Sequence, residues 1–120
     1  LSEIMHNISE LPLVFENDLM SKALIIMTEK SFGCVGVVNQ NKNLVGIITD
    51  GDLRRKMSPT IVSKKAKMIM TKKPQLATEN MLVAEALNIM NKKKITSLFV
   101  CENTKPIGIV HIHDLLRLSS

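Results

Sequence analysis

Aromatic side chains are nearly absent from this 120-residue chain, which contains no Trp, no Tyr and only three Phe. Proteins that bind single-stranded nucleic acids without sequence preference stack the bases on aromatic rings. The chain does carry a net charge of +5, and residues 54–94 hold eleven Lys and Arg against two acidic residues. Because aromatic rings are lacking, we interpret this basic stretch as a solvated surface and expect no nucleic-acid partner.

Long apolar runs and cysteines are also scarce. No apolar run approaches the ~18 residues of a membrane-spanning helix, so we expect no membrane association. The two cysteines, Cys34 and Cys101, both lie within apolar runs. We therefore expect buried free thiols of a cytoplasmic protein rather than a disulfide framework. The chain does not begin with Met, and we interpret it as a fragment of a longer protein.

An internal repeat dominates the sequence. Residues 19–30 (LMSKALIIMTEK) correspond to residues 82–93 (LVAEALNIMNKK), with shared apolar positions at i, i+4, i+5 and i+8. This spacing predicts one buried face of an amphipathic helix in each copy. Residues 34–49 correspond to residues 96–111, and each stretch holds two β-rich runs separated by Asn and Lys. That arrangement predicts a β-hairpin in each copy.

The repeat predicts the fold class. Short extended pieces at 13–15 and 75–77 precede the helices, so each copy is predicted to run strand, helix, strand, strand, helix. One such copy is too small to bury its own sheet face. We therefore predict an α/β (α+β) fold of two repeats packed about a pseudo-twofold axis. The predicted boundaries are 1–57 for repeat 1, 58–69 for a basic linker, and 70–120 for repeat 2.

Each repeat closes with a related polar motif, GIITDGDLRR at 46–55 and GIVHIHDLLR at 108–117. A carboxylate can accept hydrogen bonds from a ribose diol, and a hydroxyl can donate to a phosphate. The N–H groups at the start of the following helix also favour an anion. The alternative is that Asp50 or Asp52 only caps that helix. Both interpretations remain open at this point.

In the second copy, His111 replaces the threonine found in the first. His111 and His113 could donate hydrogen bonds to a phosphate or a sugar carboxylate, especially when protonated. They could also be plain structural histidines. A metal site needs three or four ligands, and the sequence offers no complete set beside this pair, so we predict no metal. We also predict no cofactor, and we find no catalytic constellation.

The MTKKP opening (70–74), the two Leu-Ala-Leu-Met-type helices and the GIITDGDLRR closing motif resemble the paired cystathionine-β-synthase-type (CBS) domain. A closer similarity exists. Met5-His6, EALNIMNKKKITSLFV (85–100) and the second closing motif resemble the CBS pair of D-arabinose 5-phosphate isomerases. Those bacterial enzymes join a sugar-isomerase (SIS) domain to a CBS pair. The resemblance implies an isomerase as the parent protein, with no isomerase activity in this fragment.

The resemblance also implies a regulatory site for a nucleotide or nucleotide-sugar. Because the isomerases supply the pathway to 3-deoxy-D-manno-octulosonate (Kdo), we name cytidine-activated Kdo as a candidate ligand. The candidate ligand-binding residues, divided between two clefts, are Thr49, Asp50, Asp52, Arg55, Thr96, Ser97, His111, His113, Asp114 and Arg117.

Partners are implied as well: the SIS domain of the parent chain, and a second copy of the CBS pair. Leu53 and Leu115 are expected to be exposed on the short helices and to mediate a homodimer. The alternative function is a structural oligomerisation module that binds no ligand.

Overall fold

The computed structural model describes residue 1, residues 5–6 and residues 10–119, which form two compact units. We call Pro12–Pro74 the inner unit, because its sequence lies inside that of the other. The outer unit combines Leu1–Leu11 with Gln75–Ser120. Each unit contains a sheet and helices, which confirms the predicted mixed fold class.

The inner unit contains seven regular elements and a 3₁₀ turn at Ile61–Ser63. In chain order the elements are β1 (Leu13–Phe15), α1 (Met20–Lys30), β2 (Cys34–Val38), β3 (Leu44–Thr49), α2 (Asp50–Lys56), α3 (Ala66–Ile69) and β4 (Thr71–Lys72). The sheet order is β1-β2-β3-β4, with β1 parallel to β2 and the other pairs antiparallel. The predicted hairpin is the β2–β3 pair.

The outer unit repeats this arrangement. Its elements are β5 (Leu76–Ala77), α4 (Val83–Lys93), β6 (Ser97–Glu102), β7 (Lys105–His111) and α5 (Ile112–Ser119). The sheet order is β5-β6-β7, with a parallel pair followed by an antiparallel hairpin. The predicted succession of strand, helix, strand, strand, helix is therefore present in both units.

The long helices bury small and flexible side chains at helical spacing. In α1 the buried residues are Met20, Ala23 and Met27, and in α4 they are Ala86 and Met90. Alanine lets the helix approach the sheet closely, and methionine fills the remaining irregular space. The core of each unit is thus largely aliphatic, and Phe99 of β6 is an aromatic side chain buried in the outer unit.

Both cysteines are buried thiols that form no disulfide, as predicted. Cys34 begins β2, and Cys101 lies in β6. Burial raises the pKa of the Cys101 thiol to about 11, since the thiolate would lose its hydration. Among the described residues, no helix combines the length and the apolar character that a membrane crossing needs.

The segment predicted as a basic linker (58–69) is a folded part of the inner unit. Its apolar residues Ile61, Ala66 and Ile69 are buried in the core, while Met68 is 58% exposed. Backbone hydrogen bonds connect the segment to the start of α1. The lysines obscured this pattern, because their side chains extend into solvent from a backbone that packs against the core.

The compact units also differ from the predicted repeat boundaries of 1–57 and 70–120. The N-terminal Leu1–Leu11 segment packs with the second repeat, whereas the segment up to Pro74 packs with the first. Each repeat is therefore completed by a strand-like segment that precedes the other repeat in the sequence.

The expectation that Leu115 is exposed is wrong. Leu115 is fully buried in the core of the outer unit, and Leu53 is partly buried against the inner core. In α5 the adjacent Leu116 is the exposed leucine, at 47%. The two leucines lie side by side in the sequence but about 100° apart around the helix, so only the packing decides which is covered.

Candidate functional site

The junction of β3 and α2 in the inner unit is a capping box. Thr49 is the N-cap residue, and its Oγ1 accepts a hydrogen bond from the backbone N–H of Asp52 at 3.2 Å. In return, Asp52 Oδ2 accepts from the Thr49 backbone N–H at 3.0 Å and from the Thr49 hydroxyl at 3.2 Å. Thr49 and Asp52, both predicted to bind a ligand, thus bind each other.

Asp52 is a buried carboxylate, only 1% exposed. Its Oδ1 accepts hydrogen bonds from Arg55 Nη2 and from the Thr71 hydroxyl, both at 2.7 Å. Burial alone would raise the pKa of Asp52, but the hydrogen bonds from Thr71, Thr49 and Arg55 outweigh it and lower the pKa. Asp52 is therefore an anion that connects β4 to α2.

These contacts show the capping role of Asp52 directly. Both carboxylate oxygens accept hydrogen bonds from within the unit. The role of Thr49 and Asp52 in nucleotide binding stays a prediction, and it requires a ligand to share or displace these partners. Arg55 has an exposed side chain that a ligand could reach.

An open cleft of about 370 Å³ lies elsewhere on the inner unit, between α1, the turn after it, and α2. Asp50 is exposed at the start of α2 and lines this cleft, whereas Thr49, Asp52 and Arg55 do not. The lining residues are Leu24, Met27, Thr28, Ser31, Gly33, Asp50 and Leu53. Of the four residues predicted for the inner unit, only Asp50 therefore lines this cleft.

In the outer unit, the corresponding carboxylate is Asp114 on α5. Its Oδ1 accepts a hydrogen bond from Arg117, and its Oδ2 lies 3.1 Å from His6 Nε2. Burial would raise the pKa of Asp114, but the contacts with His6 and Arg117 lower it. Unlike Asp52, Asp114 is partly accessible, with its side chain 19% exposed.

His6 was quoted in the family resemblance but was not predicted as a site residue. Its backbone pairs with β7: its N–H donates to the Ile109 carbonyl at 2.8 Å, and the Ile109 N–H donates back at 3.1 Å. Its ring lies between Asp114 and Glu10, whose Oε2 is 3.0 Å from Nδ1. Burial alone would lower the pKa of His6, but the two carboxylates raise it overall.

The segment that carries His6 is positioned by close packing against a glycine of β7, and the inner unit has the same feature. A Cβ added to Gly108 would overlap the side chain of Met5, and a Cβ added to Gly46 would overlap that of Met70. Glycine in β7 and in β3 thus leaves room for a methionine of the neighbouring segment. Met5 and Met70 occupy equivalent places in the two units.

The residue after each methionine contacts the carboxylate of the following helix. Thr71 donates to Asp52, and His6 contacts Asp114. The repeated dipeptides Met5-His6 and Met70-Thr71 are the signal that could have revealed these partners. This signal is only two residues long, and each dipeptide lies at a different distance from the next proline in the sequence.

The rings of His111 and His113 stack with their centroids 4.9 Å apart. The His113 backbone N–H donates to His111 Nδ1 at 3.2 Å, which places the hydrogen of a neutral His111 on Nε2. Burial, followed by the nearby His113, lowers the pKa of His111 although Asp114 opposes this. His111 is therefore a neutral donor near pH 7. No group of three or more His, Cys, Asp or Glu in the described ranges is placed to hold a metal.

Thr96 and Ser97 lie where β6 begins, beside the end of β7. The Thr96 carbonyl accepts a hydrogen bond from the Ile112 N–H at 2.8 Å, and Ser97 pairs with His111 across the two strands. Thr96 is exposed, but Ser97 is only 5% exposed. The structure thus brings the predicted residues of the outer unit to the β7–α5 junction, with Thr96 more accessible than Ser97.

Comparison with known proteins identifies the class. The CBS domain family matches residues 1–59 and 66–120, so the chain belongs to the CBS domain family as a tandem pair. Solved structures agree in fold. The CBS-pair protein CBSX2 in complex with AMP has a TM-score of 0.82 at 23% identity, covering 98% of this chain and 93% of its own. A CBS domain pair solved with 5′-methylthioadenosine and S-adenosyl-L-methionine has a TM-score of 0.84 at 24% identity, covering 98% and 93%.

Sequence relatives are more specific. The chain is 37% identical over 119 residues to arabinose 5-phosphate isomerase KdsD of Yersinia pestis, and 34% identical over 119 residues to KdsD of Escherichia coli K12. It is 43% identical over 118 residues to an uncharacterized protein of Rickettsia prowazekii. The matches cover 98% of this chain but only 36–37% of each relative. The chain thus spans about a third of the length of these relatives.

Proposed function

We propose that this CBS pair is the regulatory, nucleotide-binding or nucleotide-sugar-binding part of an arabinose 5-phosphate isomerase. The supporting observation is the β7–α5 junction, where the exposed Arg117, the neutral Nε2–H donor of His111 and the partly accessible Asp114 lie together. Catalysis belongs to a SIS domain of the parent protein, which acts in the cytoplasm. The relatives named KdsD and the neighbours solved with AMP or with S-adenosyl-L-methionine support this assignment.

The outer unit is the better candidate of the two. In the inner unit, Asp52 is buried and fully occupied by partners, whereas Asp114 retains access to solvent. A ligand could exchange the Arg117 contact for a phosphate or a sugar carboxylate, because a guanidinium can bind either group through paired hydrogen bonds. Asp114 is then available to the ribose diol. Cytidine-activated Kdo combines all these groups and is the specific ligand that we propose.

A structural role without any ligand is the second candidate. The closed hydrogen-bonding of Asp52 favours it, because this carboxylate stabilises the unit without any bound molecule. In that case the pair would act only in oligomerisation. Helix side chains such as Ile25 and Leu116, which are 58% and 47% exposed, would then contact a second copy.

A thermal-shift screen with AMP, CMP and cytidine-activated Kdo separates the two candidates. A ligand at 100 times its Kd stabilises the folded state by about 2.7 kcal/mol, which is roughly 8–15 °C in Tm for a chain of this size. Losing one charge-assisted hydrogen bond costs about 1.5–3 kcal/mol, so we expect Arg117→Gln to weaken binding roughly 10- to 100-fold.

Arg55→Gln is the matched control, because Arg55 holds the equivalent carboxylate in the inner unit. We expect it to leave the affinity unchanged. Loss of binding in Arg55→Gln alone would place the site in the inner unit. If none of the three nucleotides raises the Tm, the structural role is correct.

A further inference from the structure

The His6 ring differs from its counterpart in the inner unit in one chemical respect. Thr71 contacts Asp52 through a hydroxyl, which does not titrate near neutral pH. His6 contacts Asp114 through an imidazole, and a second carboxylate, Glu10, faces the other ring nitrogen. The two units therefore hold the same structural position with groups that respond differently to protons.

The geometry fixes the protonation state of His6. Nε2 lies 3.1 Å from Asp114 Oδ2, and Nδ1 lies 3.0 Å from Glu10 Oε2. Ionised carboxylates only accept hydrogen bonds, so each contact requires an N–H on the facing nitrogen. A neutral imidazole has a single N–H. Both contacts can exist together only when His6 is the imidazolium cation.

We propose that His6, Glu10 and Asp114 form a proton-dependent bridge that fastens the N-terminal segment to α5 and loosens when His6 loses a proton. With neutral His6, one nitrogen presents a lone pair to a carboxylate, and that contact is lost. The paired backbones of His6 and Ile109 and the packing of Met5 on Gly108 do not depend on this proton and remain.

Two other titratable groups lie near this bridge, Arg117 and His111. Arg117 stays bound to Asp114, so this carboxylate remains ionised whether or not His6 is charged. His111 on β7 acts on His6 only weakly, because its own pKa is lowered and its ring is neutral above pH 6.5. Burial disfavours the charged form of His6, but Glu10 and Asp114 together outweigh it and raise the pKa of His6.

The sign of the pH dependence follows from this balance. The pKa of His6 is raised in the folded state above its ordinary value of 6.5. The bridge is therefore complete below pH 6.5 and is lost as the pH rises through the folded-state pKa. The bridge needs no bound nucleotide, and we consider it in the ligand-free chain, because the proposed ligand would compete with His6 and Arg117 for Asp114.

Two NMR measurements on the 120-residue chain test the bridge. The first is the titration of the three histidine rings between pH 5 and 9, with the His6 signals assigned from a His6→Gln variant. The second is the hydrogen-exchange protection of the His6 and Ile109 amides across the same range, each corrected for its intrinsic exchange rate. The amides of Ile47 and Thr71, which pair across β3 and β4, are the matched control.

We expect the His6 ring to titrate above pH 6.5. Protection of the His6 and Ile109 amides should fall when the pH is raised from below 6.5 to above this midpoint. The total fall should be tenfold for each pH unit by which the midpoint exceeds 6.5. The Ile47 and Thr71 amides should keep their protection. His6→Gln should remove the pH dependence, because the glutamine amide has no proton to lose in this range.

Glu10→Gln provides a second variant should His6→Gln fail to fold, since the Glu10 side chain is 52% exposed and its loss leaves the core intact. It should lower the His6 midpoint and reduce the change in protection. A His6 midpoint at or below 6.5 would overturn the proposal. So would protection at Ile109 that is constant with pH, or that falls equally in both units.

Discussion

Replacing Asp52 by Asn measures how strongly the buried carboxylate stabilises the inner unit. Asn has nearly the same shape as Asp, but one of its oxygens becomes an NH₂ group. Asp52 accepts four hydrogen bonds, from the Thr49 backbone and hydroxyl, from Arg55 and from Thr71. Whichever way the amide is turned, its NH₂ group faces two of these donors.

The expected cost follows from the contacts that are lost. Hydrogen bonds to a charged group contribute about 1.5–3 kcal/mol, and a buried donor left without a partner costs about 1–3 kcal/mol. Arg55 is exposed and can turn to water, so we count the loss at the buried positions only. We expect Asp52→Asn to lower the free energy of unfolding by roughly 2–4 kcal/mol, or Tm by roughly 6–20 °C.

Urea unfolding of Asp52→Asn and of the matched variant Asp114→Asn provides the assay. Asp114 has fewer partners in the described structure and is partly hydrated, so its replacement should cost less, about 0.5–1.5 kcal/mol. The pKa of Asp52 is lowered in the folded state, so its contribution is present above pH 3.8 and is lost as the pH falls through the folded-state pKa. Asp52→Asn should lack this acid-dependent loss. Equal costs for the two variants would refute the reasoning.

Other predictions concern the outer unit, the thiols and the assembly. Gly108→Ala should displace Met5 and destabilise the protein by about 1–3 kcal/mol in urea unfolding, with Gly46→Ala acting likewise through Met70. Cys101, whose pKa is about 11, should react with Ellman's reagent at pH 8 only after denaturant is added, and fast labelling of the native protein would contradict its burial. The 120-residue chain should not convert ribulose 5-phosphate, and measurable turnover by a pure sample would contradict this. Sedimentation equilibrium should show self-association, and a monomer at high concentration would count against it.

The sequence by itself determined the succession of strand, helix, strand, strand and helix that both repeats share. The apolar spacing in 19–30 and 82–93 predicts α1 and α4 because a helix brings every third or fourth residue to one face. The β-rich runs around Asn and Lys predict both hairpins for a similarly local reason. The repeated closing motif also marked Asp52 and Asp114 as equivalent. Each of these signals lies within a few residues of the chain.

Only the tertiary structure decided which partners these carboxylates have. Thr71 is 19 positions from Asp52, and His6 is 108 positions from Asp114. No local periodicity encodes such distances. The contacts arise because Met70 and Met5 pack against glycines of the neighbouring strand and carry the next residue with them. The burial of Leu115 rather than Leu116 has the same origin, since the apolar pattern marks both leucines and only the packing of α5 chooses between them.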